Sequence, residues 1–425
     1  MKTPQSAFPN SVTIARAELP NGITVLVYEN FAAQSVVISG SLGTGSLFEP
    51  PLQNGLAAFT ASALLRGTRV RSFDHLATTL EDIGADLDVG SGVHRTGFGG
   101  KALAEDLPIL IELLGDVLRE PAFPEDQVER LRGEIMTGLQ IRSQDTRFRA
   151  SRAFYEALYP AAHPYHYSGR GSLETIPTLT TEDLRRFHSE TYTPDGMIIA
   201  IVGAVRSEEA IEYVRSHLGD WQNLHHAAPP ELPPLEPRQQ PARVFVPLPG
   251  KTQTDLIIGG AGPSRLSDDY LPAMLVNSVL GQFGMMGRIG AIVREELGLA
   301  YYAYSSLDGG MGPTPWRVTA GVSPGNVERA VDEILRQIRR ITTEPVSDED
   351  LASVQSYFIG RLPLQLESNE GIAGSILSME LYDLGFDYLD TFPEKLRALT
   401  VEDLLKAAQH YLKPDAYVLG LSGPE

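Results

Sequence analysis

Leu179-Thr180-Thr181-Glu182-Asp183-Leu184 is followed by Pro194-Asp195 and by the apolar run Met197 to Gly203. The same pattern returns 220 positions later, as Leu399-Thr400-Val401-Glu402-Asp403-Leu404, Pro414-Asp415, and Tyr417 to Gly423. Each copy has the same physical logic. A threonine followed by acidic residues caps and opens a helix. A Pro-Asp turn ends it. An apolar strand closes the segment. A second pair lies earlier: Glu120-Pro121 with Glu125-Asp126 matches Glu344-Pro345 with Glu349-Asp350. An amphipathic run precedes each member of that pair. One holds Leu107, Ile109, Leu110, Leu113, Leu114 and Val117, and the other Val327, Ala330, Val331, Ile334, Leu335 and Ile338. Spacings of three and four put each set on one helical face.

Two pairs at nearly one offset indicate a duplicated domain. Strands expected at Ile23–Tyr28, Ser35–Ser41, Arg243–Pro247 and Asp255–Gly259 do not alternate strictly with helices. That disfavours a doubly wound parallel sheet. The expected fold class is α+β, with two homologous domains, each a mainly antiparallel sheet packed against helices. Between the halves, residues 229–241 read PPELPPLEPRQQP, six prolines in thirteen residues. Proline fixes φ and removes a donor, so this is a stiff extended linker. The expected domains are 1–228 and 242–425, joined by 229–241.

The chain has 425 residues, of which 42% are apolar and 21% charged, an ordinary globular composition. Its 54 acidic and 35 basic residues give a net charge of −19, which repels phosphate backbones and anionic lipid. Nucleic acid and membrane are therefore excluded as main partners. No cysteine is present, so disulfides, thiol nucleophiles and iron–sulfur clusters are excluded. The segment Met1 to Ser6 leads into Phe8-Pro9-Asn10 with no apolar stretch typical of a signal peptide, and no run approaches the ~20 residues of a membrane span. A cytoplasmic location is expected.

Three stretches then carry a resemblance. They are Gly45-Ser46-Leu47-Phe48-Glu49-Pro50-Pro51; Asn54-Gly55-Leu56-Ala57 running to Leu64-Leu65-Arg66-Gly67-Thr68; and His163-Pro164-Tyr165 with Gly171, Glu174 and Ile176. Together they resemble the insulinase/pitrilysin-type zinc metallopeptidases, which include the mitochondrial processing peptidases. That family is also built from two like domains. Its inverted zinc motif, H-x-x-E-H, puts two histidines on one helical face with a glutamate between them as general base. A downstream glutamate is the third ligand. In this sequence the first His position is Ala58, the Glu position is Ala61 and the second His position is Ser62. The third-ligand position falls at or beside Gly138. Alanine and glycine have no donor atom, and a serine hydroxyl is a poor zinc ligand. No metal is expected in this chain. The pairs His163/His166 and His225/His226 fall in turn-rich or linker sequence and lack the three or four aimed ligands that zinc needs.

Arg294, followed by Gly298-Leu299-Ala300-Tyr301, resembles the family segment R-x-x-x-G-L-A-Y. The resemblance implies that Arg294 and Tyr301 hold a substrate carbonyl and stabilise the charge that develops on its oxygen. The preceding glycine-rich stretch Gly281 to Gly290 does not fit a P-loop, because no Lys follows. Read without the resemblance, Arg294 pairs with Glu295 or Glu296, and Tyr301 packs as a strand aromatic. Gly84 to Ser91 corresponds to the family's substrate-pairing edge strand, where a peptide can add as an extra strand. These signatures imply a non-catalytic subunit of a two-chain peptidase. It would bind peptide substrates and lend Arg294 and Tyr301 in trans to a homologous, HxxEH-bearing subunit that carries the zinc, in a heterodimer. The alternative is a catalytically inactive scaffold or a peptide-binding homodimer of the same fold.

Overall fold

A computed structural model describes residues 8–50, 52–224 and 226–424; His225 lies outside them. Eleven strands are described, in chain order β1 Ile14–Glu18, β2 Thr24–Glu29, β3 Ser35–Leu42, β4 Asp86–Ser91, β5 Thr96–Leu103, β6 Ile198–Gly203, β7 Ala242–Pro247, β8 Thr254–Ala261, β9 Ala300–Leu307, β10 Pro315–Val322 and β11 Val418–Gly423. They form two sheets. The first has the order β1-β2-β6-β3-β5-β4 and the second β7-β11-β8-β10-β9. Removing β1 makes the two orders equivalent. Each sheet is antiparallel except for one pair, β2 with β6 and β7 with β11. The fold class is therefore the α+β architecture that the duplicated sequence implies.

The repeated signature has the same local chemistry in both places. Thr180 Oγ1 accepts the Asp183 N–H at 3.1 Å, and Asp183 Oδ2 accepts the Thr180 N–H at 2.8 Å. In the second copy the distances are 3.2 and 3.0 Å, between Thr400 and Asp403. Each reciprocal pair satisfies orphan donors at a helix start. The helices are Thr181–Thr191 and Val401–Tyr411. The strands that follow them, β6 and β11, are buried along their whole length. The amphipathic runs form the helices Leu107–Arg119 and Val327–Thr343. Pro229 to Pro241 contains neither helix nor strand.

The chain divides into two compact units that are not contiguous in sequence. One comprises the chain up to Gly138, Ser168–Glu231 and Arg361–Phe392. The other comprises Leu139–Tyr167, Leu232–Gly360 and Pro393–Glu425. In the first unit the helix Asn369–Leu381 covers the first sheet. Its Ile372, Ala373, Ile376 and Met379 pack in one core with Leu26, Val37, Ile198, Ala200 and Val202. In the second unit the equivalent helix of the first repeat, Thr146–Leu158, lies across β11, β8 and β7. Gly420 on β11 allows that approach. A Cβ there would stand 2.4 Å from the Ala150 carbonyl oxygen and 2.7 Å from the Phe154 nitrogen. Each sheet is thus covered by the helix encoded in the other half.

Candidate functional site

In the first unit the degenerate motif lies on the helix Leu56–Ala63. Ala61 is buried, Ala58 half-buried and Ser62 exposed. The helix start is built by a loop that folds back on it. Glu49 Oε1 accepts the N–H groups of Gly55 at 3.1 Å and Ala57 at 2.9 Å. A carboxylate suits the positive end of a helix. Burial nevertheless pushes the Glu49 carboxyl up to about 7, against the downward pull of the Ala57 and Gly55 N–H groups and the Asn54 amide. Gly55, at φ +94°, lies against Gly171, whose Cα would be 2.5 Å from any Cβ on Gly55. Asn54 is fixed on the same side, donating to the Ser168 carbonyl at 2.8 Å and accepting at its own carbonyl from Thr175 Oγ1 at 2.8 Å. The downstream end of the quoted Gly171–Ile176 stretch therefore buttresses the helix that carries the motif positions.

Gly138 lies on the long helix Glu125–Ser143. Glu134, one turn earlier on the same face, pairs with Arg66, four residues after Ser62, through bonds of 3.3 and 2.5 Å. Arg132 of that helix stacks its guanidinium 5.1 Å from the Phe59 ring. The long helix thus runs alongside the motif segment. Nothing lies within 4 Å of where a Cβ on Gly138 would be. The four positions offer two methyl groups, one hydroxymethyl and one hydrogen. These do not fit a zinc ion. Among the described residues no three His, Cys, Asp or Glu side chains are grouped to hold a metal.

Among the described residues β4 is an edge strand that pairs only with β5. Asp86 and Asp88 are both exposed on it. Partial desolvation, and then the neighbouring Asp86, raise the Asp88 carboxyl above its ordinary value.

In the second unit Arg294 lies in Gly290–Glu296, a widened π-helical turn. Such turns recur at functional sites. Arg294 Nε is 3.2 Å from Glu295 Oε1, the neighbour pairing expected from sequence alone. Gly298, at φ +60°, takes the left-handed conformation that ends the turn. Tyr301 is the second residue of β9 and is 84% exposed, so it does not pack as a strand aromatic. His163 and His166 are both held against Tyr159 in this unit. His163 stacks on Tyr159 at 4.8 Å, and His166 Nδ1 meets the Tyr159 carbonyl at 2.8 Å.

Sequence reasoning missed one polar group beside Tyr301. Asp255, 2% exposed, accepts hydrogen bonds from Tyr302, Thr146 and Gln253. The signal was a single acid at the head of the otherwise apolar run Asp255-Leu256-Ile257-Ile258.

Comparison with known proteins agrees with this fold. The family model described as Insulinase (Peptidase family M16) matches residues 24–161, and that of the Peptidase M16 inactive domain matches 178–358. An uncharacterized zinc protease of Mycobacterium leprae is 25% identical, over 97% of this chain and 92% of its own length. The beta subunit of the mitochondrial-processing peptidase of Saccharomyces cerevisiae is 25% identical, over 88% of this chain and 83% of its own. A crystal structure of an M16 inactive domain from Pseudomonas fluorescens superposes with a TM-score of 0.88 at 23% identity, covering 97% of this chain and 98% of that one.

Proposed function

The chain belongs to the insulinase (M16) peptidase family, and from that premise we propose that it is the non-catalytic subunit of a two-chain zinc peptidase. It binds extended peptide and lends Arg294 and Tyr301 to the active site of an HxxEH-bearing homologue. The observation that carries the reading is a contrast. Ala58, Ala61 and Gly138 carry no donor atom and Ser62 only a hydroxyl, a poor zinc ligand, while the Tyr301 hydroxyl is carried on a side chain that is 84% exposed. Attack on a peptide carbonyl builds negative charge on oxygen. A guanidinium and a phenol aimed at that oxygen favour the transition state over the ground state. Metal, attacking water and general base are then the partner's contribution. The exposed edge of β4 is the proposed seat for the peptide backbone. Residues 229–241 are the proposed joint between the repeats, and a cytoplasmic location belongs to the same proposal.

Native mass spectrometry of the complex from the source organism tests the reading. Two different subunits of similar size with one zinc are expected. Arg294→Ala and Tyr301→Phe in this chain should each lower turnover by about 100-fold or more without loss of zinc. Unchanged turnover in both variants removes the assigned role. The Arg294–Glu295 contact favours a second reading, in which the pair is a remnant and the chain is a scaffold or a peptide-binding homodimer. A metal-free homodimer would decide for that one.

A further inference from the structure

Among the described residues β9 forms the edge of the second sheet and pairs only with β10. The register runs evenly from Trp316 opposite Leu307 to Gly321 opposite Tyr302, and then Val322 stands opposite Ala300. Tyr301 therefore has no partner on β10; it is the extra residue of a β-bulge. The alternation along β9 shows what the bulge does. Ala303 and Ser305 are buried on one face, while Tyr302 and Tyr304 are half-buried on the other. Unbroken alternation would turn Tyr301 to the buried face with Ala303. The bulge leaves it exposed instead, and bulges are known devices for re-aiming a side chain.

A group of side chains around Asp255 holds that bulge from the next residue. The Tyr302 hydroxyl donates to Asp255 Oδ1 on β8, reaching across the intervening strand β10. Gly321 on β10 is the residue it crosses, since Gly321 pairs with Tyr302 on one side and Asp255 on the other. A Cβ on Gly321 would be 2.6 Å from Tyr302 Cε1 and 2.6 Å from Gln253 Nε2, so only glycine leaves the ring its path. Asp255 is held in turn. Thr146 Oγ1 donates to its second oxygen, and Gln253 Nε2 donates to Oδ1 at 2.9 Å. The Arg147 guanidinium lies 5.3 Å from the centre of the Tyr302 ring. Burial, and then the bond to Asp255, raise the Tyr302 hydroxyl above its ordinary value, so it stays a proton donor at neutral pH.

We propose that Tyr302 and Asp255 are positioning residues that lock the bulge at Tyr301 and so present the Tyr301 hydroxyl outward. Their part in turnover rests on the reading of Tyr301 given above; the lock itself does not. Removing only the Tyr302 hydroxyl leaves the ring in place, whereas Asp255→Ala would strand buried donors and endanger folding. Tyr302→Phe is therefore the main variant, with Asp255→Asn, which keeps an acceptor oxygen, as its conservative companion.

Two measurements on the full chain, in the complex purified with it, decide the matter. The first is amide hydrogen exchange over residues 299–304. Tyr302→Phe should speed it by about tenfold, the effect of one lost hydrogen bond, and Asp255→Asn by less. Exchange equal to wild type in both overturns the lock. The second is steady-state kinetics. Tyr302→Phe should lower kcat by about tenfold and leave KM unchanged. Added to Tyr301→Phe it should cost nothing further, because it acts through that residue. Should Tyr301→Phe lower turnover while Tyr302→Phe does not, or should the two losses multiply, the positioning role is overturned. If Tyr301→Phe itself has no effect, the reading of Tyr301 fails, and the exchange measurement alone judges the lock.

Discussion

Glu49 Oε1 takes the N–H of Ala57 at 2.9 Å, tying the loop before the motif helix to the first turn of that helix. This carboxyl is raised to about 7 by burial, against an ordinary 4.5. A raised acid binds its proton more tightly in the folded state. Its stabilising contribution is complete below about pH 4.5 and is lost as pH rises through about 7. Glu49→Gln cannot titrate. The stability of wild type relative to Glu49→Gln should therefore fall between pH 4.5 and 8, by at most about 3 kcal/mol. Denaturant melts of both proteins across that range check it, and a constant difference would contradict it.

His188 has the opposite sign. Its Nε2–H donates to the Leu118 carbonyl at 2.9 Å, and its ring lies against Phe123 and Tyr192. Burial lowers it to about 4 from an ordinary 6.5. The stability it secures is present above about pH 6.5 and is lost as pH falls through about 4. His188→Gln should flatten the acid limb of the stability profile by a similar few kcal/mol. Between about pH 4.5 and 6.5 the Glu49 and His188 slopes oppose each other, so wild type alone shows little there and the paired variants are needed. An acid limb of unchanged steepness in His188→Gln would count against the assignment.

The two capping boxes offer a test of the duplication. Thr180→Ala and Thr400→Ala each remove the acceptor for the N–H three residues on. Each should cost about 1 kcal/mol. The caps belong to different units, so the losses should add in the double variant. Chemical denaturation measures all three proteins. A marked difference between the two single losses would mean that the repeats no longer share local energetics.

Metal removal gives a fourth test. With alanine, serine and glycine at the ligand positions, a chelator should leave the melting temperature of the isolated chain unchanged. A metal that bound only the folded state at a hundred times its Kd would contribute about 2.7 kcal/mol, enough to see as a downward shift on chelation. Any such shift would mean a metal site that the residues described above do not account for.

Local chemistry was readable in the sequence, and long-range chemistry was not. Thr180, Thr400 and the apolar runs that became β6 and β11 act within a few residues of themselves, so their spacing is enough. The motif losses at Ala58, Ala61 and Ser62 are equally plain, because an absent donor atom or a lone weak one needs no geometry to be recognised. Three other features depend on tertiary arrangement. Glu49 is a helix cap only because its loop folds back on Gly55 and Ala57. Asp255 meets Tyr302 across a strand, which needs the register of β8, β10 and β9 together. The exposure of Tyr301 follows from a one-residue slip in that register, and no alternation pattern within β9 contains it.

The helix exchange governs how the protein can be made. While the ribosome is still translating the first half, the apolar face of the β1–β6 sheet has no cover available, since Asn369–Leu381 has yet to emerge. The nascent first half must therefore wait, or be shielded by a chaperone, until the last part of the chain arrives. Splitting the gene between the repeats would separate both sheets from their covering helices. The two fragments should recover a native structure only when they are produced together.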